Sequence, residues 1–305
     1  MALFKKIAII GAGLIGSSLA RAIRANDIAD KLTLIDMSED VCKKAVELSL
    51  ADEITDDAAQ GVISADLVIL ATPVGTFEEI AKQIGPSLLP GAILTDVGSV
   101  KETVFKQLEK HIPPSVIVLP SHPIAGTEHS GPQAGFAELF IDRWCIVTPK
   151  PDADLRAIER LTSFWEACGM RIELMDAAHH DLVLGITSHL PHLLAYTIVG
   201  TAADLEDDVK TEVIKYSASG FRGFTRIAAS DPVMWRDVFL HNKDAVLEIL
   251  QRFTEDLTAL QKSIRRGDGF YLQEVFSRGR EIRRHIERLG PEGYPSPQQM
   301  NKSDD

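Results

Sequence analysis

A glycine-rich segment near the amino terminus, KIAIIGAGLIGSSLARAIR, constrains the fold more than any other part of the sequence. A short apolar run leads into Gly11, Gly13 and Gly16, which match the pattern G-x-G-x-x-G, and a helical pattern follows. In such a turn the first glycine permits the bend, the second lets a pyrophosphate approach the backbone, and the third allows close helix–strand packing. We therefore predict a dinucleotide site at the helix N-terminus, with Leu14 and Ile15 among its contacts.

The next apolar segment, KLTLID, ends in Asp36, which lies 20 residues after Gly16. A carboxylate at this spacing accepts hydrogen bonds from a ribose diol and repels a 2′-phosphate, so the sequence favours NAD over NADP. The alternative is a glycine turn in a βαβ unit that binds no dinucleotide.

Further apolar runs, ADLVILATPV and AILTDVGSVK, are typical of parallel strands that are buried on both faces. VIVLPSHPIAG is interpreted as the next parallel strand, with His122 at its carboxyl end. WCIVTPK and MRIELM then appear as the last strands, with a helix near 152–168 between them. Ligands bind at the carboxyl ends of such strands, so we expect the cofactor site to extend along this edge. The further residues expected to bind the cofactor there are Thr72, Pro73, Val97 and Gly98.

After residue 174 the sequence patterns predict helices and no further strands. An apolar helical stretch follows, with Pro191 interrupting it, and Asp231-Pro232 is a helix start signal. Apolar spacing predicts a helix that closes at Gly267 and another that ends at Gly290-Pro291. The prediction is an α/β Rossmann-type dinucleotide-binding domain over 1–174 and an all-α helical domain over 175–290. We expect the helical domain to form a homodimer and 291–305 to be a disordered tail.

The formal net charge of −12 argues against nucleic acid as a partner. The chain has only three cysteines, Cys42, Cys145 and Cys168, which are typical of reduced thiols in a cytoplasmic protein. The apolar start contains the glycine motif and is not interpreted as a signal peptide. We expect no stretch of the roughly 18–20 apolar residues that a membrane span needs.

Several histidines are candidates for chemistry, because a nicotinamide enzyme that oxidises an alcohol needs a base near neutral pKa. For His122 the residues alone leave a catalytic and a structural role equally open. His189 and His192 share one helical face and are expected to line a core or a pocket, and no metal site is expected. For His179 and His180 we expect capping and solvent exposure.

In the segment GFRGFTRIAASDPVMWRD, Arg222 and Arg226 flank aromatic residues. Arg222 is expected on the surface. Arg226 lies between apolar neighbours, and we predict that it is buried and binds a carboxylate of the ligand.

Five separated stretches, GAGLIGSS, DVGSVK, SHPIAGTEHSG, SHLPH and GFTRIAASDPVMWRD, together resemble the prephenate/arogenate (cyclohexadienyl) dehydrogenase family, over residues 5 to about 260. The resemblance implies an oxidative decarboxylation in tyrosine biosynthesis, in which NAD⁺ takes a hydride and the ring loses CO₂. It implies that His122 accepts the proton of the C4 hydroxyl and that Ser99 aligns His122 or that hydroxyl. It also implies that Arg226 anchors the ring carboxylate.

The same resemblance implies the remaining contacts of the substrate. His192, Ser188 and His189 would line its pocket, and Thr127 and Glu128 would lie between the cofactor and the side-chain pocket. Trp235 would shape the pocket from the dimer partner. We expect no regulatory domain after Gly290 and no chorismate mutase segment before residue 5.

Prephenate is the favoured substrate. Two alternatives stay open: the enzyme uses arogenate in addition to prephenate, or it uses arogenate only. A second enzyme hypothesis is a β-hydroxyacid dehydrogenase, whose catalytic lysine would lie in the helical half, where lysines are few and outside any such motif. A non-enzyme hypothesis is an NAD-sensing module, which would need a partner-binding surface that the sequence does not indicate.

Overall fold

The computed structural model describes residues 2–127, 129–204, 215 and 219–288. The chain divides into two compact units, Met1–Val246 and Leu247–Asp305. The predicted site residue Glu128 and the predicted tail 291–305 lie outside the described residues.

A six-stranded parallel sheet forms the centre of the first unit, with strand order β3-β2-β1-β4-β5-β6. This order reverses between β1 and β4, where doubly wound folds bind dinucleotides. The Rossmann-type prediction is therefore confirmed. The strands are β1 (Phe4–Ile10), β2 (Ala29–Ile35), β3 (Glu53–Thr55), β4 (Leu67–Leu70), β5 (Ile93–Asp96) and β6 (Ile117–Val118). The short edge strand β3 has no counterpart in the prediction, because its three residues are polar or only half-buried.

Both faces of the sheet are covered, which explains the nearly continuous apolar runs in its strands. Side chains alternate along β1, so that Ile7 and Ile9 belong to one core and Ala8 and Ile10 to the other. The helices of this region are α1 (Leu14–Ala25), α2 (Glu39–Glu47), α3 (Ala58–Gly61), α4 (Phe77–Ile84), α5 (Glu102–Glu109) and α6 (Leu155–Ala167).

The segment VIVLPSHPIAG does not form one parallel strand as predicted. It divides at Pro120: β6 ends at Val118, and β7 (Ser121–Pro123) joins a second sheet, in which it pairs antiparallel with β8 (Trp144–Val147). The third strand there, β9 (Arg171–Leu174), pairs parallel with β8. The two predicted last strands therefore lie in this second sheet, because the chain leaves the parallel sheet after β6.

The helices that follow are α7 (Ala177–Leu184), a π-helical segment over Gly185–His189, α8 (Leu190–Ala203), α9 (Ser219–Thr225) and α10 (Pro232–His241). Pro191 lies in the first turn of α8, directly after the π-helical segment, as the predicted interruption requires. The carboxylate of Asp231 accepts hydrogen bonds from the amides of Val233 and Met234, which confirms the predicted N-cap.

One helical stretch among the described residues, Ala177–Ala203, is long and apolar enough to cross a membrane by length and composition. The expectation that no stretch reaches this length is wrong, because the helix continues through the π-helical segment and past Pro191. The stretch nevertheless contains His180, Asp181 and His189, which are buried in hydrogen bonds within the first unit.

The second unit is helical. Helix α11 (Lys243–Arg266) begins at the end of the first unit and continues into the second, and α12 (Gly269–Arg288) follows it. Gly267 has φ of 68° and closes α11, as predicted. Large apolar side chains on these helices are exposed in the single chain, among them Ile264, Phe270, Phe276, Ile282 and Ile286.

Candidate active site

The glycine-rich turn after β1 has the geometry of a dinucleotide site. Gly11 has φ of 103°, and a Cβ there would lie 2.6 Å from the carbonyl oxygen of Ala71. A Cβ on Gly16 would lie 1.8 Å from the carbonyl oxygen of Gly11, so the helix can approach the turn only if residue 16 is glycine. A Cβ on Gly13 would meet nothing within 4 Å, so the backbone there is open to a pyrophosphate.

The N-terminus of α1 points its amides at the same open side. Gly13 is the N-cap, no side chain caps the helix, and the first turn contains no acidic residue. The first-turn amides, including those of the predicted contacts Leu14 and Ile15, are therefore left for an anion. These residues fit the pyrophosphate of a dinucleotide.

Asp36 stands beside this turn at the end of β2. Its carboxylate accepts hydrogen bonds from the amide of Ala12 at 2.9 Å and from the amide of Ser38 at 3.0 Å. These two bonds hold a negative charge where the ribose of a dinucleotide would lie, and the charge disfavours a 2′-phosphate.

The ends of β4 and β5 supply the remaining predicted cofactor contacts. The hydroxyl of Thr72 hydrogen-bonds that of Thr76 at 2.8 Å, and Pro73 precedes the short helical turn Val74–Thr76. Val97 donates its amide to the carbonyl oxygen of Leu70, which keeps the two strand ends together. Gly98 follows directly, and its amide donates to Asp96 at 2.9 Å. The predicted cofactor residues thus share one edge of the sheet.

His122 reaches this edge although it is not at the end of a parallel strand, as we had predicted. The preceding residue, Ser121, hydrogen-bonds through its hydroxyl to Thr95 and to the carbonyl oxygen of Asp96, both at 2.8 Å. The fully buried ammonium of Lys101 donates to the carbonyl oxygen of Ser121 at 2.7 Å and forms an ion pair with Asp96. These bonds fasten β7 to the end of β5, beside Val97–Ser99.

The imidazole of His122 is bonded through one nitrogen only. Its Nδ1 lies 2.9 Å from Nε2 of His180, and Nδ1 of His180 lies 2.8 Å from a carboxylate oxygen of Asp181. Nε2 of His122 makes no hydrogen bond to the described residues. The expectation that His180 caps a helix at the surface is wrong, since this ring is fully buried. Leu184 follows one helical turn later and is also buried, and this i, i+4 pairing is the sequence signal that could have placed His180 inside.

Burial lowers the pKa of His122 well below its usual value, and positive charge on His180 or Lys101 would lower it further. Burial also lowers the pKa of His180, although the hydrogen bond to Asp181 opposes this. Both rings are therefore neutral at neutral pH, and His122 can accept a proton.

Asn242 connects this group to a further buried histidine. Its side-chain amide donates to the carbonyl oxygen of Asp181 at 2.8 Å and lies 3.0 Å from Nδ1 of His189. Burial lowers the pKa of His189 to about 4. We refer to these seven residues as the buried polar cluster: Asp96, Lys101, His122, His180, Asp181, His189 and Asn242.

The side chains of His192 and Trp235 lie next to His189, and we refer to this pair as the His192–Trp235 wall. Their rings stack with centroids 3.6 Å apart, and Nδ1 of His192 donates to the carbonyl oxygen of Ser188 at 2.9 Å. Trp235 is buried against these rings in its own chain, and its expected place in the site of a dimer partner stays a prediction. His189 and His192 lie in or beside the core, and the described residues contain no group of three or more potential metal ligands.

Arg226 is exposed, so the prediction that it is buried is wrong. It begins a short 3-10 helix, Arg226–Ala229, in which no residue is buried. Its positive charge nevertheless acts on His192, whose pKa is lowered first by burial and also by Arg226. Arg226 therefore lies near the His192–Trp235 wall.

The other predicted residues are less fully defined. Ser99 is half-buried at the end of β5 and forms no side-chain hydrogen bond to His122, whose bonded partner is His180. Thr127 is exposed, and its hydroxyl accepts a hydrogen bond from the amide of His129 at 3.2 Å. The roles of Ser99, Thr127 and Ser188 remain predictions.

Comparison with known proteins gives two family matches, which together extend over most of the chain. Residues 19–174 match the prephenate dehydrogenase nucleotide-binding domain, and residues 176–278 match the prephenate dehydrogenase dimerization domain. A curated relative, the cyclohexadienyl dehydrogenase of Zymomonas mobilis, is 46% identical over 283 residues, which are 93% of this chain and 96% of that protein.

Two solved structures are similar along nearly the whole chain. The prephenate dehydrogenase of Aquifex aeolicus, in complex with hydroxyphenyl propionate and NAD⁺, has a TM-score of 0.85 and 35% identity and covers 92% of this chain and 98% of its own. The arogenate dehydrogenase of Synechocystis has a TM-score of 0.77 and 28% identity, with 92% and 99% of the two chains covered.

Proposed function

Since the chain belongs to the prephenate dehydrogenase family of NAD-dependent oxidoreductases, we propose that it converts prephenate to 4-hydroxyphenylpyruvate by oxidative decarboxylation. The observation that supports this reaction best is His122, a buried neutral imidazole at the sheet edge that carries the dinucleotide turn, whose Nε2 has no hydrogen-bond partner in the described part of the chain.

NAD⁺, when bound, supplies the acceptor for the hydride that leaves C4 of the substrate ring. His122 takes the proton of the C4 hydroxyl on Nε2, so that a carbonyl can begin to form at C4. The bond from C1 to the ionised ring carboxylate then breaks, CO₂ leaves, and the electron pair of that bond completes the aromatic ring and leaves a negative charge on the C4 oxygen. His122 returns its proton to this oxygen, so that in sum the substrate loses one hydride and one CO₂, which balances the reaction.

His122 must be neutral to take the proton. Its pKa is lowered below the ordinary value of 6.5, so activity is present above this lowered pKa and falls only as pH decreases through it. Ser99, at the end of β5, is proposed to align His122 or the hydroxyl.

Arg226 is proposed to bind the ring carboxylate that is lost, next to His192, Ser188 and His189. Its exposure in the single chain and its electrostatic effect on His192 are compatible with a ligand entering from that side. Thr127 and Glu128 are proposed to lie toward the substrate side chain.

The Arg226→Ala variant tests this anchoring role. Loss of a charge-assisted hydrogen bond should raise KM for prephenate by about 10- to 100-fold. Steady-state kinetics with Arg222→Ala as the matched exposed control checks this. An unchanged KM in Arg226→Ala would remove Arg226 from the substrate site.

The decisive experiment mixes the protein with NAD⁺ and prephenate and follows the absorbance of NADH. We expect NADH formation with prephenate, and parallel reactions with arogenate and with NADP⁺ define the two specificities. Absence of NADH with both prephenate and arogenate, together with turnover of a β-hydroxyacid, would overturn the proposal. NAD⁺ binding without turnover of any of these would favour an NAD-sensing module.

We also propose a homodimer formed through the helical half and a cytoplasmic location. The match to a dimerization domain and the exposed apolar side chains of α11 and α12 support the dimer. Light scattering at micromolar concentration should give about twice the mass of one chain, and a monomer would contradict this proposal.

A further inference from the structure

The buried polar cluster contains a hydrogen-bonded chain that the proposed reaction does not by itself require. It runs from the carboxylate of Asp181 through both ring nitrogens of His180 to Nδ1 of His122, with links of 2.8 Å and 2.9 Å. The two rings are edge to face, with an interplanar angle of 68°. Each ring nitrogen in the chain therefore has a single defined partner.

The position of Asp181 is fixed from the other side by a helix N-terminus. Its two carboxylate oxygens accept the backbone amides of Lys101, at 2.8 Å, and Glu102, at 3.0 Å. Helix α5 begins there without a side-chain cap of its own, so Asp181 provides the cap. With two backbone amides donating to it, the carboxylate serves as an acceptor, and Nδ1 of His180 must carry the proton in their shared bond.

The direction of the next bond follows from this one. A neutral imidazole has one N–H, so a His180 ring protonated on Nδ1 has a lone pair on Nε2. Nδ1 of His122 must then be the donor, and the single proton of a neutral His122 ring resides there. Nε2 of His122 is left with its lone pair, on the nitrogen that has no partner among the described residues.

We propose that His180 is a positioning residue, which holds His122 in the Nδ1–H tautomer so that Nε2 is the proton acceptor. The inference rests on the proposed function in taking His122 as the base. The opposite tautomer would place a bare Nδ1 of His180 against the carboxylate of Asp181, where two acceptors face each other.

The charged groups around the two rings are compatible with neutral imidazoles. Asp96 faces them from the end of β5, Lys101 from the start of α5, Asp181 from α7, and His189 from the π-helical segment. The positive charge of Lys101 opposes protonation of either ring. If His180 were protonated, it would donate from both nitrogens and force His122 into the inactive Nε2–H form.

The test measures the tautomer directly, by long-range ¹H–¹⁵N correlation NMR of the full chain with ¹⁵N-labelled histidines at mildly alkaline pH. The His122 signals are assigned by their loss in His122→Asn. We expect Nδ1 to be protonated and Nε2 bare in the wild type, and a substantial Nε2–H population in His180→Leu. A His122 ring protonated on Nε2 in the wild type, or an unchanged tautomer in folded His180→Leu, would overturn the proposal.

Kinetics with prephenate and NAD⁺ provide the second readout. His180→Leu should lower kcat by about 100-fold with little change in KM, since it removes the correct tautomer of the base and no substrate contact. His180→Gln should recover most of kcat and keep the Nδ1–H form, because its amide can donate to Asp181 and accept from His122. The matched control is His179→Leu, at the exposed neighbouring position.

If His180→Leu does not fold, the NMR spectrum of the wild type and the measurements on His180→Gln still test the proposal. Loss of the Nδ1–H form in a folded His180→Gln whose kcat equals that of the wild type would overturn the proposal. An Nδ1–H tautomer in a protein that oxidises neither prephenate nor arogenate would support the assignment of the tautomer and overturn the proposed function instead.

Discussion

The parallel sheet and the buried polar cluster lie in the same compact unit, but different forces stabilise them. The sheet packs aliphatic side chains such as Ile9 and Ile69 between two layers of helices. This burial is non-directional and roughly proportional to the apolar area removed from water. In the polar cluster, His122, His180 and Asp181 are also buried, but each is held by hydrogen bonds of defined direction.

This difference determines which amino-acid substitutions each region can tolerate. A core of aliphatic side chains loses stability gradually when a methyl group is removed. A buried polar group that loses its partner retains the full cost of desolvation. We therefore expect conservative changes in the sheet to be mild, and changes of similar size in the polar cluster to have severe effects on activity or stability.

The largest expected effect is on catalysis, in His122→Asn. The asparagine amide can still donate to Nε2 of His180, so folding should be retained while the proton acceptor is lost. We expect kcat to fall by about 10⁴-fold, with the dissociation constant for NAD⁺ unchanged in a fluorescence titration.

Two outcomes would contradict this prediction. Substantial turnover would show that His122 is not the base. A parallel loss of NAD⁺ binding would show that the polar cluster supports the cofactor site and is not separable from it.

The second largest effect concerns the free energy of unfolding, in Lys101→Met. This change leaves the fully buried carboxylate of Asp96 without its cation and should destabilise the protein by about 3–5 kcal/mol. Ile9→Val in the sheet should destabilise it by only about 0.5–1.5 kcal/mol. Urea denaturation of both variants measures the contrast.

A rescue variant sharpens the same comparison. Adding Asp96→Asn to Lys101→Met replaces the unpaired charge with a neutral amide and should restore part of the stability. If Lys101→Met is no worse than Ile9→Val, the buried ion pair does not hold β7 to β5 in the way its geometry indicates.

The sequence predicted the dinucleotide turn well, because its determinants are local. Gly11, Gly13 and Gly16 lie within six residues of one another, and each permits a bend or a close approach because it lacks a Cβ. The spacing to Asp36 is fixed by one helix and one strand. The helix signals at Asp231 and Gly267 are equally local, and both were predicted correctly.

The buried polar cluster could not be predicted in the same way, because its parts come from distant segments. Asp96, His122, His180 and Asn242 are brought together by the second sheet and by packing of α7 on α5. Neither contact has a local sequence pattern. Pro120 and the short β6 allow the chain to leave the parallel sheet, and the apolar run alone did not reveal this. Arg226 was misplaced for a related reason, since apolar neighbours in sequence do not bury a residue in a surface turn.

The third prediction concerns pH and the histidine His189. The pKa of this ring is about 4 in the folded protein against an ordinary value of 6.5, so the unfolded chain binds more protons below pH 6.5. The free energy of unfolding should therefore fall as pH decreases from 6.5 toward 4, with His189 contributing as much as about 3 kcal/mol.

Urea denaturation at several pH values checks this, with His189→Gln compared to the wild type. The variant should show a flatter pH dependence, because the residue that titrates only on unfolding is absent. His179→Gln, at an exposed position, is the control and should leave the slope unchanged. An identical slope in all three proteins would show that burial does not suppress protonation of His189.

The last comparison lies within the glycine-rich turn and the start of α1, where the same substitution at two glycines separates an effect on folding from an effect on cofactor binding. Gly16→Ala places a Cβ 1.8 Å from the carbonyl oxygen of Gly11 and should destabilise the protein by about 3 kcal/mol.

Gly13 has φ of −68° and ψ of −162°, which alanine can adopt, and its added Cβ meets no described atom within 4 Å. Gly13→Ala should therefore keep Tm and raise the Kd for NAD⁺ by about 10-fold, since the methyl group occupies the approach of the pyrophosphate. Thermal unfolding and an NAD⁺ titration measure the pair. If Gly13→Ala binds NAD⁺ as tightly as the wild type, the pyrophosphate does not approach the turn at this residue, and the cofactor must lie elsewhere along the sheet edge.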